Sequence, residues 1–120
     1  MSSDSNDKYN LEERTFQFAK MVCLYVNKLP RTISNIEYSR QVIRSSASVG
    51  ANYREANESL GKKDFKMRIK ISRKEAKESE YFLRLIVETN DVQFQTEGLL
   101  LVDEACQLKR IFSPILLKTE

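Results

Sequence analysis

Six cations along the third predicted helix and at the residue just before it are the residues best suited to chemistry. Five of them recur at steps of three or four residues and so share one face of an α-helix, and the sixth lies beside them. Such a row can neutralise phosphate groups, which releases counterions and makes binding sensitive to salt. We therefore predict that nucleic-acid phosphates contact this cation row, which consists of Lys62, Lys63, Lys66, Lys70, Arg73 and Lys77.

A solvated helix face is the alternative interpretation of the cation row. Glu75, Glu78 and Glu80 interrupt it, and the formal net charge of the chain is only +3, from 20 basic and 17 acidic residues. Charged helix faces are commonly solvated and balanced by neighbouring residues of the opposite sign. No aromatic residue is interleaved with the row to stack on bases, so contact with nucleic acid is expected at the backbone.

Two pairs of carboxylates share a helix face: Glu55 with Glu58, and Glu75 with Glu78. Bundles that hold di-iron centres combine such carboxylates with histidine in Glu-x-x-His motifs, and this chain has no histidine. We therefore predict no metal, no cofactor and no catalytic residue. Ion pairs are expected instead, in which Glu75 or Glu78 binds one of Arg44, Arg54, Arg73 and Arg84.

The length of 120 residues suits a single domain, because two halves would each be too small to bury a core. Cys23 and Cys106 lie far apart and form no zinc or disulfide pattern. The start of the chain, MSSDSND, lacks the basic and apolar regions of a secretory signal. Since no apolar run reaches the length of a membrane helix, we expect a cytoplasmic protein without membrane contact.

Four amphipathic helices account for the apolar pattern, in which apolar side chains recur every three or four positions. The helices are expected at residues 10–29, from 34 or 35 to 59, 63–89 and 97–117. Gly61 is expected in a left-handed conformation after the second helix, and Pro114 is expected to kink or end the fourth. The predicted fold class is all-α, an up-down antiparallel four-helix bundle at residues 10–120, preceded by a disordered polar tail at residues 1–9.

Small residues line the middle of the second helix, in the run SSASVGA at residues 45–51. Glycine in a helix interior costs about 1 kcal/mol relative to alanine. Gly50 therefore predicts that a neighbouring helix passes close to this position; the alternative is an exposed glycine that has no packing role.

The chain has more apolar residues than are needed to give each helix one buried face. The fourth helix has a core stripe and, outside it, the further apolar residues Leu99, Leu100, Val102, Ile111 and Leu117. A helix that is apolar over so much of its girth needs cover on more than one side. The sequence therefore predicts a homo-oligomer in which copies of the chain bury these residues against one another.

Three segments of the chain occur in the order and spacing of a known family. They are RSSASVGANYREA at residues 44–56, KKDF at 62–65 and KEAKESEYFLRL at 74–85. Together they resemble the bacterial four helix bundle protein family, and the likeness extends over residues 11–117. Some members of that family are encoded in intervening sequences of large-subunit ribosomal RNA genes, and others are accessory proteins of diversity-generating retroelements.

The resemblance implies an up-down bundle that assembles into a barrel-like, ring-shaped homopentamer and is not an enzyme. It also implies a partner that is RNA, DNA or a nucleoprotein enzyme of the reverse-transcriptase type. We therefore predict a non-enzymatic oligomeric module that binds nucleic acid or such a partner through a basic face. The alternative is a structural, self-assembling protein that binds another protein and no nucleic acid. Neither hypothesis includes a small-molecule substrate.

Overall fold

The computed structural model describes the backbone of residues 3–119 and the side chains of residues 10–119. Every regular element in that part of the chain is helical, which confirms the predicted all-α class. The elements are α1 (Ser3–Val26), α2 (Ile33–Asn57), α3 (Lys62–Thr89), a 3₁₀ turn (Val92–Phe94) and α4 (Gln95–Lys118). Short connections join consecutive helices, and the particle measures 44 × 26 × 19 Å, as suits a four-helix bundle.

Both ends of α2 differ slightly from the predicted ones, because the helix runs from Ile33 to Asn57. Thr32 caps α2, because its side chain accepts a hydrogen bond of 3.1 Å from the Asn35 amide, so α2 begins slightly earlier than predicted. Gly61 is not left-handed, and that prediction is wrong: its φ of −148° is extended backbone, and the residue caps α3. Since α2 already ends at Asn57, no left-handed residue is needed at Gly61.

α1 starts before its predicted limit and ends at Val26, three residues short of the predicted Leu29, whereas α4 extends beyond both predicted limits. α1 begins at Ser3, ahead of residue 10. The predicted tail at residues 1–9 reaches outside the described part, so its disorder stays a prediction.

α4 continues through Pro114 to Lys118, so the proline does not end it. Pro114 and Arg110, the residue four positions before it, are both exposed, which allows water to satisfy the carbonyl that loses its helical partner.

α3 has the most extensive helix contacts, with α2 on one side and α4 on the other, while α1 packs against α2 and more loosely against α4. Their facing stripes form one apolar core. Its fully buried large side chains include Tyr25, Val42, Ile69, Leu83 and Phe112. Phe16, which helical spacing places close to the core stripe of α1, is 59% exposed instead.

The close approach predicted at Gly50 is confirmed, and the neighbouring helix is α1. A Cβ atom at Gly50 would lie 2.8 Å from the Thr15 hydroxyl oxygen, which is closer than such atoms normally come. Thr15 is fully buried, and its hydroxyl donates to the carbonyl oxygens of Leu11 and Glu12 at 2.9 and 3.0 Å. The missing side chain of Gly50 therefore lets α1 and α2 pack closely.

A second close approach positions the start of α4. The Tyr25 hydroxyl donates a hydrogen bond of 2.9 Å to the carbonyl oxygen of Phe94, and the ring is completely buried. Burial, with a smaller effect of Glu97, raises the pKa of Tyr25 to about 12, so the hydroxyl stays protonated as a donor. A Cβ atom at Gly98 would overlap both this hydroxyl and a methyl group of Val87. Only glycine fits where α4 crosses this tyrosine.

Candidate nucleic-acid interface

A shallow groove of about 430 Å³ lies between α3 and α4 and is lined almost entirely by cations. Six of its seven lining residues are lysine or arginine, and the seventh is serine. We call it the basic groove; its lining consists of Lys70, Arg73, Lys74, Lys77, Lys109, Arg110 and Ser113. Neither a carboxylate nor an aromatic ring is among these residues.

The structure divides the predicted cation row between two places. Lys70, Arg73 and Lys77 line the basic groove. Lys63 and Lys66 lie nearer the start of α3, where they line a second concavity of about 670 Å³ together with Gly61, Asp64, Met67 and Lys70. Lys62, at the first position of α3, is exposed and lines neither. Lys70 joins the two concavities, so the row follows α3 without forming one site.

Three groove residues were missed by the sequence analysis: Lys74 on α3, and Lys109 and Arg110 on α4. Lys74 lies four residues after Lys70 and three before Lys77, so the same helical spacing could have placed it on this face. Lys109 and Arg110 are adjacent in sequence, and a pair of neighbouring cations alone only weakly indicates a binding surface. Nothing in the sequence shows which side of α4 faces α3, so only the packed helices bring these residues to the cation row.

The carboxylates that interrupt the row in sequence mostly lie on another side of α3. Glu75 and Glu78 face α2, where Arg44 binds them at 3.2 and 2.8 Å. The predicted ion pairs are therefore confirmed, with Arg44 as the partner. The two carboxylates share this one arginine, and neither of the ion pairs described for them involves a cation of the basic groove. Glu80 differs, since it binds Lys109 of the groove at 3.0 Å.

Glu75 is unusual because its carboxylate is almost completely buried, with 8% of the side chain exposed. Burial raises the pKa of Glu75, and the neighbouring charge of Glu78 raises it further, while Arg44 opposes both effects. The ion pair between Glu75 and Arg44 therefore links α3 to α2. Glu75 therefore helps to set the angular position of α3, which in turn directs the cation row away from α2.

Buried serines of α2 and α3 form hydrogen bonds at the contact between these two helices. The hydroxyls of Ser45 and Ser79 lie 2.8 Å apart, and Ser79 also donates to the carbonyl oxygen of Glu75 at 2.9 Å. Ser72 donates to the carbonyl oxygen of Val49 at 3.0 Å. These small side chains let α2 and α3 approach closely and satisfy their own hydroxyls. The predicted packing role of the small-residue run is thus visible at the α2–α3 contact.

A larger cleft, of about 840 Å³, opens at the bundle end where α1 starts and α4 finishes. Its floor is apolar, and Arg14, Asn57 and Lys118 are among its polar lining residues. Glu104 and Gln107 bind the Arg14 guanidinium at 2.7 to 2.9 Å, and Asn57 donates to Glu12 at 2.7 Å. Arg14 and Asn57 thus already have partners within the bundle, and the cleft lining has two cations, Arg14 and Lys118, against six in the basic groove.

Other kinds of site find little support in the described residues. Cys23 and Cys106 are both free thiols. Across residues 10–119, histidine, cysteine and acidic side chains do not form a group of three or more that could ligate a metal ion. None of the helices in the described part is both long and apolar enough to cross a membrane.

A family model described as 23S rRNA-intervening sequence protein matches residues 7–113. A solved structure from Bacteroides thetaiotaomicron, described as a protein of unknown function from the S23 ribosomal protein family, is similar with a TM-score of 0.73 and 28% sequence identity. The similarity covers 88% of this chain and 97% of that one. No curated protein matches the chain. The family match spans most of the helical domain that the structure describes, and the chain belongs to the 23S rRNA-intervening sequence protein family.

Proposed function

We propose that this protein is a non-enzymatic binding module that contacts nucleic-acid phosphates through the basic groove. The observation that carries the proposal is the composition of the groove, in which cations from two helices converge without a lining carboxylate. The family supports it, because the matching model is named after ribosomal RNA intervening sequences and no enzymatic family is indicated.

The chemistry of the groove favours contact with the backbone over recognition of bases. Lys70 and Lys77 on α3 face Arg110 on α4 across the groove, so a phosphate chain would have cations on both sides. Lysine and arginine bind phosphate oxygens whatever the sequence. Single-strand readers use aromatic platforms for stacking, and none lines this groove. Binding is therefore expected to depend weakly on sequence and strongly on salt.

The salt dependence of binding tests the proposal. Fluorescence anisotropy with a labelled oligonucleotide should show binding at about 50 mM salt that weakens steeply by about 200 mM. If three to five groove cations engage phosphates, the slope of log K against log salt is expected to lie at roughly −2 to −4.5. Absence of binding at the lower salt concentration would reject the proposal. Binding that salt leaves unchanged would reject the phosphate mechanism.

Self-assembly is a second candidate function, and the exposed apolar side chains favour it. α1 exposes Phe16 and Leu24, and α2, which packs beside it, exposes Ile36 and Ile43, each at least 41%. α4 exposes Leu99, Leu100 and Leu117. Apolar areas on several helices suit a ring in which each copy of the chain meets two neighbours.

An assembled ring would also repeat the basic groove around its circumference and so raise the effective concentration of cations. Five copies is the number that the family resemblance implies. Light scattering at micromolar concentration is expected to show a mass several times that of the 14.0 kDa chain. A single species at the chain mass would contradict self-assembly and leave nucleic-acid binding to be tested by itself.

A further inference from the structure

We infer that Glu80 limits nucleic-acid binding by occupying one of the groove's own cations. The inference rests on the proposed function of the basic groove and adds a residue that tunes it. Glu80 on α3 accepts a hydrogen bond from the Lys109 ammonium on α4, with 3.0 Å between Nζ and Oε1. Lys109 lines the groove, whereas Glu80 does not. The carboxylate therefore holds, from outside the groove, a cation that faces its interior.

The position of Glu80 distinguishes it from the other acids of α3. Glu75 and Glu78 pair with Arg44 on the α2 side, and Glu88 pairs with Arg84 one turn before it on α3 itself. Only the Glu80 pair, among those the structure describes, ties a carboxylate to a cation of the groove. The side chains of Glu80 and Lys109 are 23% and 30% exposed, so solvent screens the pair only partly.

A phosphate that enters the groove must compete with Glu80 for Lys109. An ammonium group can donate to both anions at once, but the two anions would then repel each other at short distance. Lys109 therefore contributes little to binding while Glu80 keeps its charge. Removing that charge releases Lys109 for phosphate, so the number of engaged cations rises by about one.

The variant Glu80→Gln tests the inference, because glutamine keeps an oxygen that can accept from Lys109. We expect it to bind a labelled oligonucleotide about three- to tenfold more tightly than the wild type at low salt, with a salt slope steeper by about 0.9. The thermal unfolding midpoint should be nearly unchanged. If the glutamine variant does not fold, Glu80→Ala at the same partly exposed position provides the same comparison.

Glu88→Gln is the matched control, because it removes an equal charge from the same helix about two turns away. It should change affinity less than twofold. An equal gain in both variants would show that net charge alone acts and would overturn the inference.

A double-mutant cycle with Lys109→Gln separates competition from simple repulsion. We expect Lys109→Gln to weaken binding less than twofold in the wild type, but about fivefold in the Glu80→Gln background. Additive effects would mean that Glu80 does not occupy Lys109, and the inference would fail while the groove proposal stands. Failure of the wild type itself to bind would instead reject the proposed function.

Discussion

Replacing Gly98 by alanine is expected to destabilise the protein by about 2 kcal/mol, although alanine favours helices by about 1 kcal/mol. The added methyl group would overlap the Tyr25 hydroxyl and a methyl group of Val87. The tyrosine cannot move aside without losing its hydrogen bond to Phe94, and its ring is completely buried. The unfolding midpoint should fall by roughly 6–10 °C, as measured by circular dichroism.

Thr96→Ala is the matched control for Gly98→Ala. Thr96 lies in the first turn of α4 and is exposed, so the change alters helix propensity without touching the Tyr25 contact. Its effect on stability should stay within about 0.5 kcal/mol. If Gly98→Ala matched or exceeded the wild type in stability, α4 would be able to shift away from Tyr25, and the close approach would not constrain the fold.

Neutralising three groove cations should weaken nucleic-acid binding by about 100-fold or more at about 0.1 M salt. The variant combines Lys70→Gln, Lys77→Gln and Arg110→Gln, which removes charge from both α3 and α4. Each lost phosphate contact should reduce the salt slope by about 0.9, so the slope should become shallower by roughly 2 to 3. Anisotropy titrations at several salt concentrations measure both quantities. Stability should change little, because these side chains are exposed or at the groove surface.

A variant of equal charge separates the groove from the general charge of the protein. Lys20→Gln, Arg31→Gln and Arg40→Gln also remove three positive charges, at exposed positions on α1, the following loop and α2. Both triple variants therefore have a formal net charge of zero, from +3 less three. The control should lose less than about fivefold in affinity. Equal losses in the two variants would show that binding does not depend on the groove.

Much of the helical architecture could be predicted because helices follow from local patterns. Apolar periodicity is a sequence feature, and the structure places α2, α3 and α4 within two residues of the expected limits, whereas α1 starts seven residues earlier than expected. Gly50 was also informative, since an unfavourable residue in a helix interior implies a compensating contact, here with Thr15. The caps were less predictable, because several nearby residues can accept the same backbone hydrogen bond, and Thr32 does so.

Only part of the candidate site could be predicted from the sequence. The spacing of Lys70, Arg73 and Lys77 places them on one helix face by helical geometry alone. Whether Glu75, Glu78 and Glu80 neutralise that face depends on which neighbouring helix each one meets. The structure assigns the first two to Arg44 on α2 and the third to Lys109 on α4. Several cations lie at similar distances along the sequence from each glutamate, so the sequence cannot show which of them becomes its partner.

The sequence by itself determined the helices, their apolar stripes and the angular order of charges around each one, because a fixed helical period relates neighbours on a single helix. Only the tertiary structure decided that Lys109 and Arg110 meet the cation row and that α4 crosses Tyr25 at Gly98. The rotation and offset between helices result from side-chain packing over the whole core. Local sequence patterns do not determine that packing, so a surface formed by two helices cannot be predicted from either helix alone.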